Sequence, residues 1–146
     1  MVFEDITHTK FNGIKVSDHH EFSHEQVFYY EDEYIGLKSI IAIHNSSKGP
    51  AIGGCRYKHY GSYEEGLADV LRLSKGMTEK NISANIPFGG GKAIIFADGV
   101  KSPELLKSFA SFLNLLDGLY ISAEDIGITL EDIQFIKSHS KYVFDN

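Results

Sequence analysis

The chain alternates between apolar runs and amphipathic segments, and this pattern predicts strands and helices in turn. Runs rich in apolar, β-branched or aromatic residues at 26–30, 37–44 and 51–57 predict three strands. The composition of the second run is typical of a strand buried on both faces. Residues 1–23 are weakly patterned, and we interpret them as an N-terminal arm that pairs or packs elsewhere.

Capping residues followed by apolar positions at helical spacing predict three helices. Ser62 and Glu65 match a capping box at the start of the first helix. Ser102, followed by a proline and a glutamate, is expected to cap the second helix, and Thr129 is expected to begin the third. The buried face of the first helix is predicted from five residues at helical spacing: Leu67, Val70, Leu71, Ser74 and Met77.

Three more strands complete the alternation. The segment 87–92, PFGGGK, is predicted to be a glycine-rich turn that leads into a strand at 92–97. Apolar runs at 119–122 and 142–144 predict two short strands. Strands that alternate with helices favour an α/β layered domain, although the order of the strands is not readable from the sequence.

The composition narrows the class of protein. A length of 146 residues predicts one domain, and a net charge of −6 argues against a nucleic-acid or membrane surface, since both need a clustered basic face. The single cysteine, Cys55, excludes an internal disulfide and fits a reducing compartment. We find neither a secretory signal nor an apolar run long enough to cross a bilayer, so we expect a cytoplasmic protein.

Three polar residues occupy positions that suit chemistry. Asp125 follows a predicted strand, and ligands of α/β sheets gather outside the carboxyl ends of strands. Lys92 lies between three glycines and an apolar strand, so partial desolvation is expected to lower its pKa and favour a role as a base. Lys80 lies at a helix C-terminus, where a lysine usually only complements the helix dipole. An aspartate after a strand can likewise be a simple turn residue.

Other candidate sites are rejected. The GGGK segment lacks the phosphate-loop pattern, because Ala93 follows the lysine and Pro87 stands in place of the first glycine. His19, His20 and His24 could suggest a metal site, but no cysteine or carboxylate pair completes a set, and a solvated arm is the preferred interpretation. No metal is therefore expected. A hydrolase is also excluded, since no G-x-S-x-G segment is found.

Taken together, four segments resemble a known family. From about His24 onwards the chain resembles the amino acid dehydrogenases that act on glutamate, leucine, phenylalanine and valine, with the leucine type the best match by eye. In order and spacing, the matching segments are GLKSIIAIHNSSKGPAIGGCRY, GLADVLRLSKGMTEKN, PFGGGKAIIF and YISAEDIGIT. One such segment alone would be weak, but their combination is highly specific.

The resemblance implies an architecture. Members of that family have an amino-acid-binding domain and a nucleotide-binding Rossmann domain on either side of a cleft, and this chain resembles only the former. We expect an α/β three-layer domain with a mixed sheet flanked by helices, formed by residues 24–146 after the arm at 1–23. The sequence contains no G-x-G-x-x-G fingerprint. NAD would therefore bind through a C-terminal domain that is absent from this sequence, and the present domain would mediate homo-oligomer contacts.

The resemblance also assigns site residues. Lys80 would hold the α-carboxylate of the substrate by a charge-assisted hydrogen bond. Lys92 would be the catalytic lysine that activates the attacking water, and Asp125 would engage the amino group and pass protons. A second lysine nearby would lower the pKa of Lys92 further. Gly53 and Gly54 would line the floor of the site, where a side chain would collide with the ligand.

Substrate choice depends on the walls of the side-chain pocket. Ile52 and Ala123 match pocket positions of the family and are compatible with leucine, isoleucine or valine, and Met77 is expected to line the same pocket. Ile128 stands where the family commonly has threonine, which puts contacts on the cofactor side in doubt. Phe88 replaces a usual leucine, which we interpret as a packing change.

The expected function is NAD-dependent, reversible oxidative deamination of leucine and other branched-chain L-amino acids to the 2-oxo acid, ammonia and NADH. The expected partners are the small-molecule substrate and further copies of the chain, with no nucleic acid or membrane. The isolated chain is expected to be inactive, because the hydride acceptor would have no site. Two alternatives remain open: a stand-alone amino-acid-binding module without redox activity, and a structural oligomerisation domain.

Overall fold

The computed structural model describes residues 1–18 and 23–144. These residues form eight strands: β1 Val2–Asp5, β2 Lys10–Phe11, β3 Ile14–Lys15, β4 Gln26–Asp32, β5 Leu37–Asn45, β6 Ala51–Lys58, β7 Gly89–Phe96 and β8 Tyr120–Glu124. Three α-helices accompany them, α1 Tyr63–Ser83, α2 Pro103–Leu116 and α3 Leu130–Lys137, together with a short 3-10 helix at Val16–Asp18. From β4 to α3, the alternation of strands and helices follows the order predicted from the sequence.

Six strands form one mixed sheet in the order β1-β4-β5-β7-β6-β8. The β1–β4, β4–β5 and β5–β7 pairs are antiparallel, whereas β6 pairs in parallel with both β7 and β8. A separate two-stranded hairpin joins β2 and β3. Both parallel pairs lie at the β8 edge of the sheet, so the ends of β6 and β8 are brought together there.

The sheet has a hydrophobic cluster on each face, which confirms the predicted three-layer α/β fold. On one face, the buried residues Leu67, Val70 and Leu71 of α1 pack against Ile40 of β5 and Ile94 of β7. The opposite face is covered by α2 and α3 and holds the larger cluster, centred on Phe109, Phe112, Leu113, Tyr120, Ile133 and Ile136. Within the described residues, no helix is long and apolar enough to span a membrane.

The predicted helix starts are found at the predicted residues. The hydroxyl of Ser62 accepts a hydrogen bond from Glu65 N, but the Glu65 carboxylate accepts from Gly61 N, so the reciprocal half of the box is displaced by one residue. Thr129 and Asp132 form a complete capping box at the start of α3. These starts were predictable because each depends on residues within one helical turn.

The predicted turn at PFGGGK is wrong: Gly89, Gly90 and Gly91 belong to β7 itself, and Lys92 lies inside that strand rather than at its start. The reason is close packing on three sides. A Cβ at Gly89 would overlap Asn45 O of β5, a Cβ at Gly90 would overlap Thr78 of α1, and a Cβ at Gly91 would lie 2.8 Å from the Tyr120 ring. The glycines therefore let three neighbours approach one strand.

Segments near both ends of the described residues contact the main sheet. Within the segment predicted as an arm, β1 pairs with β4 from Val2↔Glu31 to Asp5↔Phe28. The predicted strand at 142–144 forms only an isolated parallel bridge, Ser122↔Val143, within the described residues. The middle of β8 is therefore covered on its outer side by a short segment rather than by a full strand.

The sequence suggested that His24 lies in a solvated arm, but the structure buries this residue. It is 2% exposed, and its Nε2 lies 2.6 Å from the Ser74 hydroxyl and 3.0 Å from Leu71 O on α1. The other two histidines of that proposed group, His19 and His20, lie outside the described residues. Residues 1–18 and 23–144 contain no cluster of histidine, cysteine and carboxylate side chains suited to a metal ion.

Candidate active site

A cavity of about 340 Å³ lies between the C-terminal part of α1 and strands β6, β7 and β8. All eight residues that the sequence analysis assigned to the site line it: Ile52, Gly53, Gly54, Met77, Lys80, Lys92, Ala123 and Asp125. They come from α1, from three strands and from the residue after β8. Strand β6 is flanked by β7 and β8, and the C-terminal part of α1 lies next to these three strands at the cavity. This arrangement brings together residues that are far apart in sequence.

Lys92 is a buried cation next to a carboxylate. The residue is 6% exposed, and its Nζ lies 3.4 Å from Asp125 Oδ2. Desolvation lowers the pKa of Lys92, and the charge of Asp125 opposes that effect only in part. A nearby cation also lowers the pKa of Lys92. We expected this cation to be a second lysine, but in the structure it is Arg56. A lysine with a lowered pKa can accept a proton nearer to neutral pH than a solvated lysine can.

Asp125 lies directly after β8, where the sequence placed it, and it contacts two cations. Arg56 Nε donates a hydrogen bond to Asp125 Oδ2 at 2.7 Å, and Lys92 approaches the same oxygen. Burial acts to raise the pKa of Asp125, but the hydrogen bond from Arg56 and the charges of Lys92 and Arg56 outweigh it and hold that pKa below its ordinary value. Asp125 is therefore ionised over the whole neutral range.

Two glycines of β6 shape the floor of the cavity. A Cβ at Gly53 would overlap Gly91 O, and one at Gly54 would lie 2.7 Å from Asp125 Cβ and 3.2 Å from Lys92 Nζ. The collisions are therefore with protein atoms, whereas the sequence had suggested a collision with the ligand. Gly54 leaves room for the Lys92–Asp125 pair to form.

Lys80 is in the last turn of α1, and its side chain is exposed at the cavity. The next residue, Asn81, is buried, and its side-chain amide donates to Gly89 O at 2.8 Å. This hydrogen bond ties the end of α1 to the start of β7. The position of Lys80 relative to the strand that carries Lys92 is thereby fixed.

Sequence reasoning missed several residues of this region. Arg56 does not line the cavity but holds Asp125, and no local motif marks it, because its partners Asp69 and Asp125 come from other elements. The walls of the cavity also include Ile86, Phe88 and Phe144. Phe88 is thus a wall residue as well as a packing change.

Ile128, the other noted departure, is 3% exposed and belongs to the larger hydrophobic cluster. Its backbone N–H donates to Asp125 O at 3.1 Å. The side chain therefore packs into the core beneath the turn that carries Asp125.

Comparison with known proteins identifies the family. A family model described as "Glu/Leu/Phe/Val dehydrogenase, dimerisation domain" matches residues 21–142. The chain belongs to this dehydrogenase family. The fold agrees with that assignment.

Individual members of the dehydrogenase family support the same conclusion. The chain is 50% identical over 123 residues to a phenylalanine dehydrogenase of Caldalkalibacillus thermarum, covering 83% of this chain and 33% of the relative. It is 44% identical over 124 residues to a leucine dehydrogenase of Geobacillus stearothermophilus, covering 84% and 34%. The crystal structure of L-tryptophan dehydrogenase from Nostoc punctiforme matches with a TM-score of 0.81 and 42% identity, covering 84% of this chain and 37% of that chain.

The chain spans about a third of the length of these dehydrogenase relatives. Relatives named for phenylalanine, leucine and tryptophan all match at 42–50% identity, so the leucine type does not stand apart. These identities establish the family and do not distinguish among the amino acids for which its members are named.

Proposed function

We propose that this chain is the substrate-binding and dimerisation domain of an amino acid dehydrogenase that oxidatively deaminates L-amino acids with apolar side chains. The observation that carries the proposal is the meeting of Lys80, Lys92 and Asp125 at one cavity with apolar walls. Such a cavity offers a cation for a carboxylate, a base and a proton-accepting carboxylate, which are the groups that the reaction requires.

Lys80 binds the substrate α-carboxylate. Its ammonium is exposed at the cavity, so it can form a charge-assisted hydrogen bond without first breaking a buried ion pair. The adjacent wall is apolar, with Ile52, Met77 and Ala123 facing the space beside it. The substrate is thus oriented with its charged end at α1 and its side chain against the wall.

Asp125 and Lys92 carry out the proton transfers of the reaction. Asp125, ionised and directly after β8, engages the substrate ammonium group by a charge-assisted hydrogen bond and passes its proton on. Lys92 in its neutral form takes a proton from the water that attacks the imino carbon, and its lowered pKa increases the fraction of amine in that form. When bound, NAD would accept the hydride from the α-carbon of the substrate. We expect a nucleotide-binding domain outside this sequence to hold NAD.

Leucine and the other branched-chain amino acids are our first proposed substrates, because Ile52, Met77 and Ala123 give the pocket aliphatic or small walls. Phenylalanine is the second candidate. The aromatic wall residues Phe88 and Phe144 favour it, as does the 50% identity to a phenylalanine dehydrogenase. A binding module without redox chemistry is less favoured, since binding alone gives no reason to bury Lys92 beside a carboxylate.

The test is a titration of the isotope-labelled chain, followed by NMR, with L-leucine, L-phenylalanine and L-leucinamide. We expect the two amino acids to shift the signals of cavity residues, whereas the amide, which lacks the carboxylate for Lys80, should bind at least about tenfold more weakly. Equal affinity for leucine and its amide would contradict the assigned role of Lys80. Absence of any response to both amino acids would contradict the proposed function itself.

A further inference from the structure

A row of alternating charges leads from the cavity to helix α1. Lys92 contacts Asp125, Asp125 accepts from Arg56, and Arg56 Nη1 lies 3.5 Å from Asp69 Oδ2 on α1. Asp69 also pairs with Arg72 and accepts a hydrogen bond from the Tyr60 hydroxyl at 2.6 Å. Only the first two members of this row line the cavity.

Arg56 has the shorter contact to Asp125. Its Nε is 2.7 Å from Oδ2, whereas Lys92 Nζ is 3.4 Å from the same oxygen. Arg56 therefore donates the closer hydrogen bond, and Lys92 is a weaker competitor for that oxygen.

The orientation of Arg56 is fixed from its other side. The planar guanidinium presents Nε to Asp125, directly after β8, and Nη1 to Asp69 of α1, so one side chain links the end of β8 to α1. The side chains of Arg56 and Asp69 are 14% and 11% exposed, which limits their screening by solvent. A lysine at this position would offer a single point charge and could not make both contacts in the same plane.

We infer that Arg56 is a positioning residue, which holds the Asp125 carboxylate ionised and only loosely paired with Lys92, so that the Lys92 amine stays available as the base. The inference rests on the proposed function for the role of Lys92, but its physical content concerns the unliganded protein. The charged and titratable groups that face Lys92 are Asp125, Arg56 and the Cys55 thiol, with Lys80 and Glu124 on the walls of the same cavity. Among them, Arg56 is the cation that both contacts Asp125 and lowers the pKa of Lys92.

The proposal is tested by the reactivity of Lys92. Trace labelling with acetic anhydride across a pH series, read by mass spectrometry of the peptide that contains residue 92, gives the pKa of this amine without substrate or cofactor. In Arg56→Gln, Asp125 should pair fully with Lys92, and the pKa of Lys92 should rise by about one unit. At a fixed pH below that pKa, labelling should then fall by about tenfold.

A matched control separates this role from general charge removal. Arg72→Gln deletes another cation that pairs with Asp69, but its side chain is 68% exposed and does not contact Asp125, so Lys92 labelling should be unchanged. If Arg56 acts through Asp125, the same Arg56→Gln change in an Asp125→Asn background should have less than half its original effect on the pKa. Circular dichroism of each variant shows whether the fold is retained.

Two results would overturn the inference. One is an unchanged Lys92 profile in folded Arg56→Gln, and the other is an equal shift in Arg72→Gln. If Arg56→Gln does not fold, Arg56→Lys takes its place, and it should raise the pKa in the same direction by a smaller amount, while an unchanged profile would again refute the role. None of these readings depends on amino acid binding, so they are independent of the titration that tests the proposed function.

Discussion

At the scale of single residues, a deeply buried side chain links stability to pH. Burial and the neighbouring charge of His44 lower the pKa of His24 to about 3, although the hydrogen bond to Leu71 O opposes the shift. Because an unfolded histidine titrates near 6.5, the unfolded state takes up a proton between that value and about 3 while the folded state does not. The contribution of His24 to stability is therefore complete above pH 6.5 and lost as the pH falls below it.

Urea unfolding at pH 7 and pH 5 measures this effect. We expect the free energy of unfolding to drop by about 2 kcal/mol through His24 over that interval. The drop should be much smaller in His24→Gln and should persist in His59→Gln, whose imidazole is exposed. Equal pH dependence in all three proteins would show that His24 is not the group responsible.

The residue scale is also where the sequence was least informative. Lys92, Asp125 and the cavity glycines could be singled out because each lies in a distinctive local motif. Arg56 could not, since its meaning depends on Asp69 and Asp125, which come from different elements and meet only in the folded sheet. Burial of His24 was missed for the same reason, because its hydrogen-bond partners lie on α1.

At the scale of elements, the close packing around β6 depends on glycines, which have no side chain. Gly54→Ala would place a methyl group 2.7 Å from both Asp125 Cβ and Glu124 O, so we expect β8 to be pushed away and the Lys92–Asp125 contact to be lost. The cost should be about 1–3 kcal/mol of stability, as for other overpacked interiors. It should be accompanied by weaker amino acid binding.

The matched control is Gly76→Ala in α1, where an added methyl group meets nothing within 4 Å. Alanine is the better helix former, so this change should raise the free energy of unfolding by about 0.5–1 kcal/mol. Chemical denaturation of both variants makes the comparison. A harmless Gly54→Ala would mean that the floor of the cavity is less tightly packed than described.

Elements divide clearly into those that local sequence determines and those that it does not. Helix starts at Ser62, Ser102 and Thr129 were predicted because capping is local. The three glycines before Lys92 were predicted to form a turn but belong to β7. This prediction was wrong because the packing of β5, α1 and β8 around β7 imposes their extended conformation. Such non-local constraints do not appear in a single sequence.

At the scale of the whole molecule, the sheet has an edge that a second copy could cover. Strand β1 is the outermost strand next to β4, and its Val2 and Phe3 side chains are 39% and 44% exposed. Together with the family's description as a dimerisation domain, this favours self-association through the N-terminal strand and adjoining helices. Light scattering at micromolar concentration should give a mass of at least two chains, and a mass of one chain would contradict this expectation.

The central claim is that one cavity binds an amino acid with Lys80 on its carboxylate. The most direct measurement is the affinity of L-leucine for the wild-type chain, Lys80→Gln and Lys38→Gln, which removes an exposed lysine of β5 that does not line this cavity. We predict that Lys80→Gln weakens binding by at least about tenfold while Lys38→Gln binds like the wild type. Equal affinities for all three proteins would contradict the account.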